Sequence, residues 1–110
     1  MIYLAVPYTH PDPRVMDYRA GEADYVAAKL IKLGHEVYSP ISSWHHISRK
    51  WGLPTDYAYW KQFSRKMILL SSKVLVITLD GWKESTGVQD EITFAKSFNR
   101  PIGYVDSWEL

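Results

Sequence analysis

Residues 74–91, with the sequence VLVITLDGWKESTGVQDE, decide the fold. The segment from Val74 to Ile77 is apolar without alternation, which is typical of a strand buried on both faces of a parallel sheet. A polar turn follows, and from Ser85 to Phe98 apolar residues recur at helical spacing on one face: Val88, Ile92 and Ala95. A buried strand, a turn and an amphipathic helix together form one unit of an α/β fold.

The rest of the chain repeats this unit. Further strands are predicted at residues 2–6, 37–38 and 101–105, and further helices from Asp12-Pro13 to Gly34 and from Tyr57 to Leu70. Residues 41–54 are predicted to be a loop. The order β-α-β-α-β-α-β predicts one domain over residues 1–110, a doubly wound, flavodoxin- or Rossmann-like parallel sheet with helices on both faces.

Composition narrows the possible functions. Thirteen basic and twelve acidic side chains give a formal charge of +1, so no basic surface for DNA, RNA or a membrane is expected. The chain has no cysteine, which excludes disulfides and thiol catalysis. Met1 leads directly into a short strand rather than a signal peptide, so we expect a cytoplasmic protein. We also expect no membrane contact and no cofactor.

Aromatic residues are abundant, at 15% of the chain, with five Trp and eight Tyr. Four of the tryptophans lie in predicted loops or at the tail, where they would line a pocket or a subunit contact: Trp44, Trp51, Trp82 and Trp108. We expect a homodimer or higher homo-oligomer.

In doubly wound sheets, ligands bind beyond the carboxyl ends of the strands. This rule selects residues 7–14, 40–53 and 80–91. In the last segment, Thr86 and Gln89 fit a capping box, and Ser85 adds a second hydroxyl beside free backbone N–H groups. Gly87 would let an anion approach the backbone closely. The alternative is a well-capped helix with no ligand.

Glu91 lies one turn further along the same helix. If Val88 and Ile92 face the sheet, helical phase places Glu91 at the edge of the apolar stripe and Asp90 toward solvent. Carboxylates avoid apolar surroundings unless they are paired or functional. Glu91 is therefore the candidate reactive carboxylate, with a surface glutamate as the alternative.

Several segments resemble the nucleoside 2-deoxyribosyltransferase superfamily, in particular a small branch of uncharacterised bacterial and phage proteins. The resemblance spans nearly the whole chain and rests on these residues: Tyr3-Leu4-Ala5-Val6-Pro7-Tyr8-Thr9-His10, Arg19, Gly34-His35, Trp60, Gly81-Trp82, Ser85-x-Gly87-Val88-x-x-Glu91 and Ala95. It implies that Glu91 is the nucleophile that attacks C1′ of a 2′-deoxyribosyl group and that Tyr3 orients it.

The resemblance also bears on the substrate. Nucleoside transferases carry an aspartate six residues before the glutamate, whereas relatives that hydrolyse deoxynucleoside 5′-monophosphates carry a phosphate-binding serine. Here that residue is Ser85, which implies a 5′-monophosphate substrate. Two positions depart from the pattern: Val6 replaces a common glycine, and Ser64 replaces an aspartate.

Other candidate ligand-binding residues lie near the strand ends. Tyr8, Thr9 and His10 follow the first strand, where they would bind substrate or cap the next helix. Arg19 would reach the phosphate or remain an exposed helical residue. His45 would donate to a base or phosphate, or be solvated in its loop; with His46 it does not form a convincing metal site, and we expect no metal.

Three classes of function remain open from the sequence. The leading hypothesis is an enzyme that cleaves or exchanges the N-glycosidic bond of 2′-deoxynucleoside 5′-monophosphates. The second is a module that binds a nucleotide or an NAD-derived fragment without chemistry. The third is an obligate subunit of an assembly. Separately, the resemblance implies that the tail, residues 106–110, completes the site of a neighbouring subunit.

Overall fold

The computed structural model describes all 110 residues as four strands, four helices and a C-terminal 3₁₀ turn. In chain order the elements are β1 (Ile2–Ala5), α1 (Pro13–Lys32), β2 (Val37–Tyr38), α2 (Pro40–Trp51), α3 (Tyr57–Leu69), β3 (Lys73–Ile77), α4 (Thr86–Ser97), β4 (Ile102–Val105) and the turn Ser107–Glu109. None of the four helices is long and apolar enough to cross a membrane.

The four strands form one sheet in the order β2-β1-β3-β4, and every pair is parallel. In the central pair, Ile2 is opposite Lys73 and Ala5 is opposite Val76. The chain therefore winds outward from β1 and β3 in both directions, which confirms the predicted doubly wound α/β fold. The point where the winding reverses lies between β1 and β3, and a crevice is expected beyond their carboxyl ends.

Alternation along the strands gives the sheet two buried faces. Leu4 of β1 packs in a core with Val26 and Leu30 of α1, on one side of the sheet. Tyr3, the preceding residue of β1, packs on the opposite side with Ile68 of α3 and with α4, which contributes Val88, Ile92 and Ala95. The prediction of helices on both faces is confirmed.

The predicted loop at residues 41–54 is wrong, because most of it is helix α2. Ser39 occupies the N-cap position and Pro40 the first helical position, where a proline costs no hydrogen bond. The helix ends at Gly52, whose left-handed φ of 70° suits glycine. The buried residues of α2 are Pro40, Ile41, His45 and Ser48. Because two of these are polar, the sequence lacks the apolar period that marks a helix.

Two glycine substitutions test the helix assignments. Gly21 lies inside α1 with open space around its Cα, so Gly21→Ala should raise the free energy of unfolding by about 0.5–1 kcal/mol. Gly52 has a positive φ, so Gly52→Ala should lower it by about 1–2 kcal/mol. Urea unfolding measures both values, and a change of the same sign in both variants would contradict the assignment.

Candidate active site

A cavity of about 390 Å³ opens at the reversal point of the sheet. One wall follows β1 and includes Val6, Tyr8 and Thr9. A second wall comes from α2, α3 and the segment between them, and a third comes from Glu84 and the first turns of α4. The cavity thus lies where the fold rule places ligands in α/β sheets.

Glu91 is the most buried charged residue of this cavity. It lies in the second turn of α4 with 5% of its surface exposed, deeper than the edge position that helical phase predicts. Its carboxylate accepts a short hydrogen bond from the hydroxyl of Tyr3, which is fully buried on β1. The structure therefore brings together the two residues that the sequence nominates for catalysis.

Burial controls the ionisation of this pair. Loss of solvation raises the pKa of Glu91 to about 8, although hydrogen bonds from Tyr3 and Ser64 oppose the shift. Burial, and then the neighbouring Glu91, raises the pKa of Tyr3 well above its usual value. At neutral pH the free protein consequently holds Glu91 mostly as a neutral acid, which a nearby positive charge would ionise.

Ser64 completes the surroundings of Glu91. It lies on the buried face of α3, lines the cavity, and is close enough to both Tyr3 and Glu91 for its hydroxyl to lower the pKa of each. Ser64 therefore borders the candidate nucleophile directly.

The first turn of α4 is capped differently from the prediction. Ser85 is the N-cap, and its Oγ accepts a hydrogen bond of 3.2 Å from the N–H of Val88. The predicted capping box between Thr86 and Gln89 is wrong, because the Gln89 side chain donates to the carbonyl of Trp82 instead. As the first two residues of the helix, Thr86 and Gly87 have N–H groups without an intrahelical acceptor, and both line the cavity.

Gly87 has no side chain, and the Tyr57 ring packs into the space that one would fill. A Cβ at this position would lie 2.9 Å from Cδ1 of Tyr57, so the absence of a side chain lets the Tyr57 ring pack against α4. The Tyr57 hydroxyl donates to Asp90 at 2.7 Å. The sequence assigned this space to an approaching anion, whereas in the structure an aromatic ring of the cavity wall occupies it.

The orientation predicted for Asp90 is also wrong. Instead of pointing to solvent, Asp90 forms an ion pair of 2.6 Å with Arg65 of α3 and accepts the Tyr57 hydrogen bond. Burial acts to raise the pKa of Asp90, but the bonds from Arg65 and Tyr57 hold it below its usual value. This pair fixes α3 against α4 and thereby positions the Tyr57 ring.

His45 lies behind the cavity wall rather than in it. It is buried in α2, with Nδ1 2.6 Å from the Tyr8 hydroxyl and Nε2 3.1 Å from Asp17 of α1. Because Nε2 faces a carboxylate, it carries the proton, and Nδ1 accepts from Tyr8. Burial lowers the pKa of His45, which favours this neutral form. Both ring nitrogens are engaged, so Tyr8 lines the cavity while His45 holds it in place.

Arg19 and His10 lie outside the cavity as well. The Arg19 guanidinium donates to the carbonyls of Thr9 and Asp80, both at 3.2 Å, and so ties the loop after β1 to the loop after β3. His10 accepts a hydrogen bond from the N–H of Asp12. Of this group, Thr9 lines the cavity, where its hydroxyl donates to the carbonyl of Thr55.

Sequence reasoning missed two of the four residues of the aromatic wall, Tyr57 and Trp60. Trp44 of α2 and Trp60 of α3 line the cavity and stack with ring centroids 4.4 Å apart and an interplanar angle of 4°. Trp44 had two predicted places, a pocket or a subunit contact, and the structure places it in the pocket. The signal for Trp60 was its position in a predicted helix beside Tyr57, with which it shares the cavity wall.

No residue of the C-terminal turn lines this cavity. Trp108 is 80% exposed, while Ser107 is buried and donates to Glu22 of α1 at 3.0 Å. That the tail serves a neighbouring subunit stays a prediction, as does self-association.

Comparison with models of known protein families identifies the family of this chain. A family model described as a domain of unknown function (DUF1937) matches residues 1–106. The chain belongs to the DUF1937 family. No curated protein matches it. The cavity and the Tyr3–Glu91 pair therefore belong to a DUF1937 domain whose family description names no activity.

The raised pKa of Glu91 predicts how the stability of this DUF1937 domain depends on pH. Between the ordinary value of 4.5 and about 8, folded Glu91 keeps a proton that the unfolded chain has lost. The free energy of unfolding should therefore fall as pH rises through this window and level off above it. Glu91→Gln removes the effect, so the Tm of the variant relative to wild type should increase from pH 5 to pH 9.

Asp24→Asn is the matched control, because Asp24 is exposed on α1. A Tm difference between Glu91→Gln and wild type that stays constant from pH 5 to pH 9 would contradict a buried, protonated Glu91.

Proposed function

We propose that this protein cleaves or exchanges the N-glycosidic bond of 2′-deoxynucleoside 5′-monophosphates, with Glu91 as the nucleophile. The observation that carries the proposal is the buried Glu91 carboxyl, which borders the cavity and accepts a hydrogen bond from Tyr3. The motif Ser85-x-Gly87-Val88-x-x-Glu91, which resembles the nucleoside 2-deoxyribosyltransferase superfamily, supports the same chemistry.

The Tyr3–Glu91 pair suits a double displacement. One carboxylate oxygen of Glu91 attacks C1′, the bond from C1′ to the base breaks, and the bonding electrons leave with the base. Tyr3 hydrogen bonds to the carboxylate and so directs its other oxygen toward the sugar. Water or a second base then attacks C1′ and releases Glu91. The positive charge that develops on the sugar favours the ionised form of Glu91 at that moment.

The first turn of α4 supports a phosphate position. Ser85 accepts a hydrogen bond through its oxygen, so its hydroxyl proton remains free to donate, and the N–H groups of Thr86 and Gly87 point out of the helix end. Glu91 lies five residues after Thr86, the first residue of α4, or about 7–8 Å along the helix axis. This span leaves room for a deoxyribose between a phosphate at the helix end and C1′ beside Glu91.

Release of free base from a panel of deoxynucleoside 5′-monophosphates, followed by chromatography, tests the proposal. Glu91→Ala should lower the rate by at least about 10³-fold, because it removes the nucleophile. Tyr3→Phe should have a smaller effect, and Asp24→Asn should leave the rate unchanged. Base release that is equal in wild type and Glu91→Ala would overturn the assignment.

The substrate class has its own test. Ser85→Asp places a carboxylate at the helix end, so it should lower activity on 5′-monophosphates and favour unphosphorylated nucleosides, whereas Ser85→Thr should keep the preference for phosphate. An unchanged ratio of nucleotide to nucleoside turnover in Ser85→Asp would remove the phosphate from this position.

A second candidate is a module that binds a nucleotide or an NAD-derived fragment without turnover. It is favoured by the neutral state of Glu91 in the free protein and by Ser64 where related proteins have an acid. Calorimetric binding of nucleotides without base release, with equal affinity in wild type and Glu91→Gln, would support this candidate over the enzyme.

A further inference from the structure

The charge of the cavity is one-sided. Three carboxyl groups line it: Glu91 at the bottom, and Asp56 and Glu84, which are exposed at the rim. No lysine, arginine or histidine lines it. Arg19 and Arg65 are both near, but Arg19 is turned toward backbone carbonyls and Arg65 toward Asp90. A ligand with positive charge is therefore favoured over one that carries only negative charge.

The walls between these carboxyl groups are aromatic. Trp44, Trp60, Tyr8 and Tyr57 all border the cavity. The negative potential of aromatic faces attracts cations, and a flat heterocyclic cation also gains dispersion energy from them. Aromatic rings combined with carboxylates form the usual environment for a cation that cannot donate hydrogen bonds.

The phenolic protons at this cavity are already committed. Tyr3 donates to Glu91, Tyr8 donates to His45, and Tyr57 donates to Asp90. A neutral base that leaves C1′ takes an electron pair and becomes an anion unless an acid protonates it. The aromatic wall holds no free phenol to supply that proton, and Ser64 beside Glu91 is an alcohol, which is too weak an acid. Glu91 itself attacks C1′ as the carboxylate, so it has no proton left to give.

We propose that the nucleoside bound here carries a base that is already positively charged, namely a quaternised nitrogen heterocycle such as an N-alkylpurinium or a pyridinium. The inference rests on the proposed function and names its substrate class. As Glu91 bonds to C1′, the bond from C1′ to the ring nitrogen breaks, its electron pair neutralises the ring, and the base leaves as a neutral molecule. No proton is needed for that step. Water then adds its oxygen to C1′ as the bond from C1′ to Glu91 breaks, and the departing carboxylate of Glu91 takes up the proton that the water loses.

The same ligand would switch on the nucleophile. A positive ring beside the buried carboxyl stabilises its ionised form, and it opposes the burial that keeps Glu91 protonated in the free protein. The proton of Glu91 passes to solvent as the cation binds, so substrate binding and formation of the carboxylate are coupled. A neutral base would leave Glu91 in its protonated, less nucleophilic form.

Matched pairs of probes test the charge preference by calorimetry. The cation 7,9-dimethylguaninium is compared with neutral 9-methylguanine, and the cation 1-methylnicotinamide with neutral nicotinamide. At least one cation should bind at least about tenfold more tightly than its neutral partner. The pair that shows the preference distinguishes a purine from a pyridine source. Equal affinities within both pairs would overturn the inference.

Variants locate the preference in the cavity. The double change Asp56→Asn with Glu84→Gln should lower affinity for the cation and leave the neutral partner unaffected, and Trp60→Leu should weaken the cation more than the neutral probe. Trp51→Leu is the control, because Trp51 is 71% exposed on α2 and does not line the cavity. A preference for the cation that survives both cavity variants would place it elsewhere and overturn the assignment.

Turnover separates this inference from the proposed function. The rate with enzyme, divided by the spontaneous rate, is measured for 7-methyl-2′-deoxyguanosine 5′-monophosphate and for 2′-deoxyguanosine 5′-monophosphate. A larger ratio for the methylated substrate supports both proposals. Equal ratios that depend on Glu91 keep the glycosidase and overturn the charge preference. Selective binding of the cation without any cleavage keeps the ligand class and overturns the glycosidase.

Discussion

The hydrogen bond between Tyr3 and Glu91 is the constraint around which the rest of the site is arranged. A carboxyl with 5% of its surface exposed loses most of its solvation, and hydrogen bonds from Tyr3 and Ser64 partly replace it. The first of these donors comes from β1, because alternation along the strand turns Tyr3 toward α3 and α4 while Leu4 faces α1. The parallel pairing of β1 with β3 then fixes the distance between the strand and α4.

The supporting contacts hold this arrangement from two sides. On one side Asp90, adjacent to Glu91 in sequence, pairs with Arg65 and accepts from Tyr57, which anchors α3 on α4. On the other side His45 links Tyr8 to Asp17, and so couples the end of β1 to α1 and α2. The lining of the cavity includes four aromatic and three acidic residues and no basic one. The residues that are basic serve the scaffold behind them.

The sequence predicted the central elements because their signals are local. The apolar segments of β1 and β3 and the helical period of α4 specify a parallel sheet and place Glu91 toward it, and Gly34 marks the end of α1. Helix α2 was not predicted because two of its buried residues, His45 and Ser48, are polar. The burial of His45 depends on its contacts with Tyr8 and Asp17, which are distant in the sequence. The loop prediction therefore failed for a tertiary reason.

The site likewise contains residues that local patterns predict and contacts that only the tertiary structure determines. Glu91 and its partner Tyr3 follow from helical phase and from a resemblance, but the pairing of Asp90 with Arg65 joins residues 25 positions apart and no local pattern encodes it. The expectation that His10 contacts a ligand followed from its position after a strand, whereas that for Arg19 followed from the resemblance. In the free protein both side chains hydrogen bond to backbone groups of the loops. The stacking of Trp44 on Trp60 likewise depends on how α2 packs on α3.

Covalent trapping of the sugar tests whether Glu91 is the nucleophile. The protein is mixed with a 2′-deoxynucleotide substrate, quenched in acid within milliseconds to seconds, digested, and analysed by mass spectrometry. We expect a peptide that is heavier by one deoxyribosyl phosphate, with the added mass on Glu91. Base release without any adduct on that peptide, or an adduct on a different residue, would contradict the role assigned to the Tyr3–Glu91 pair.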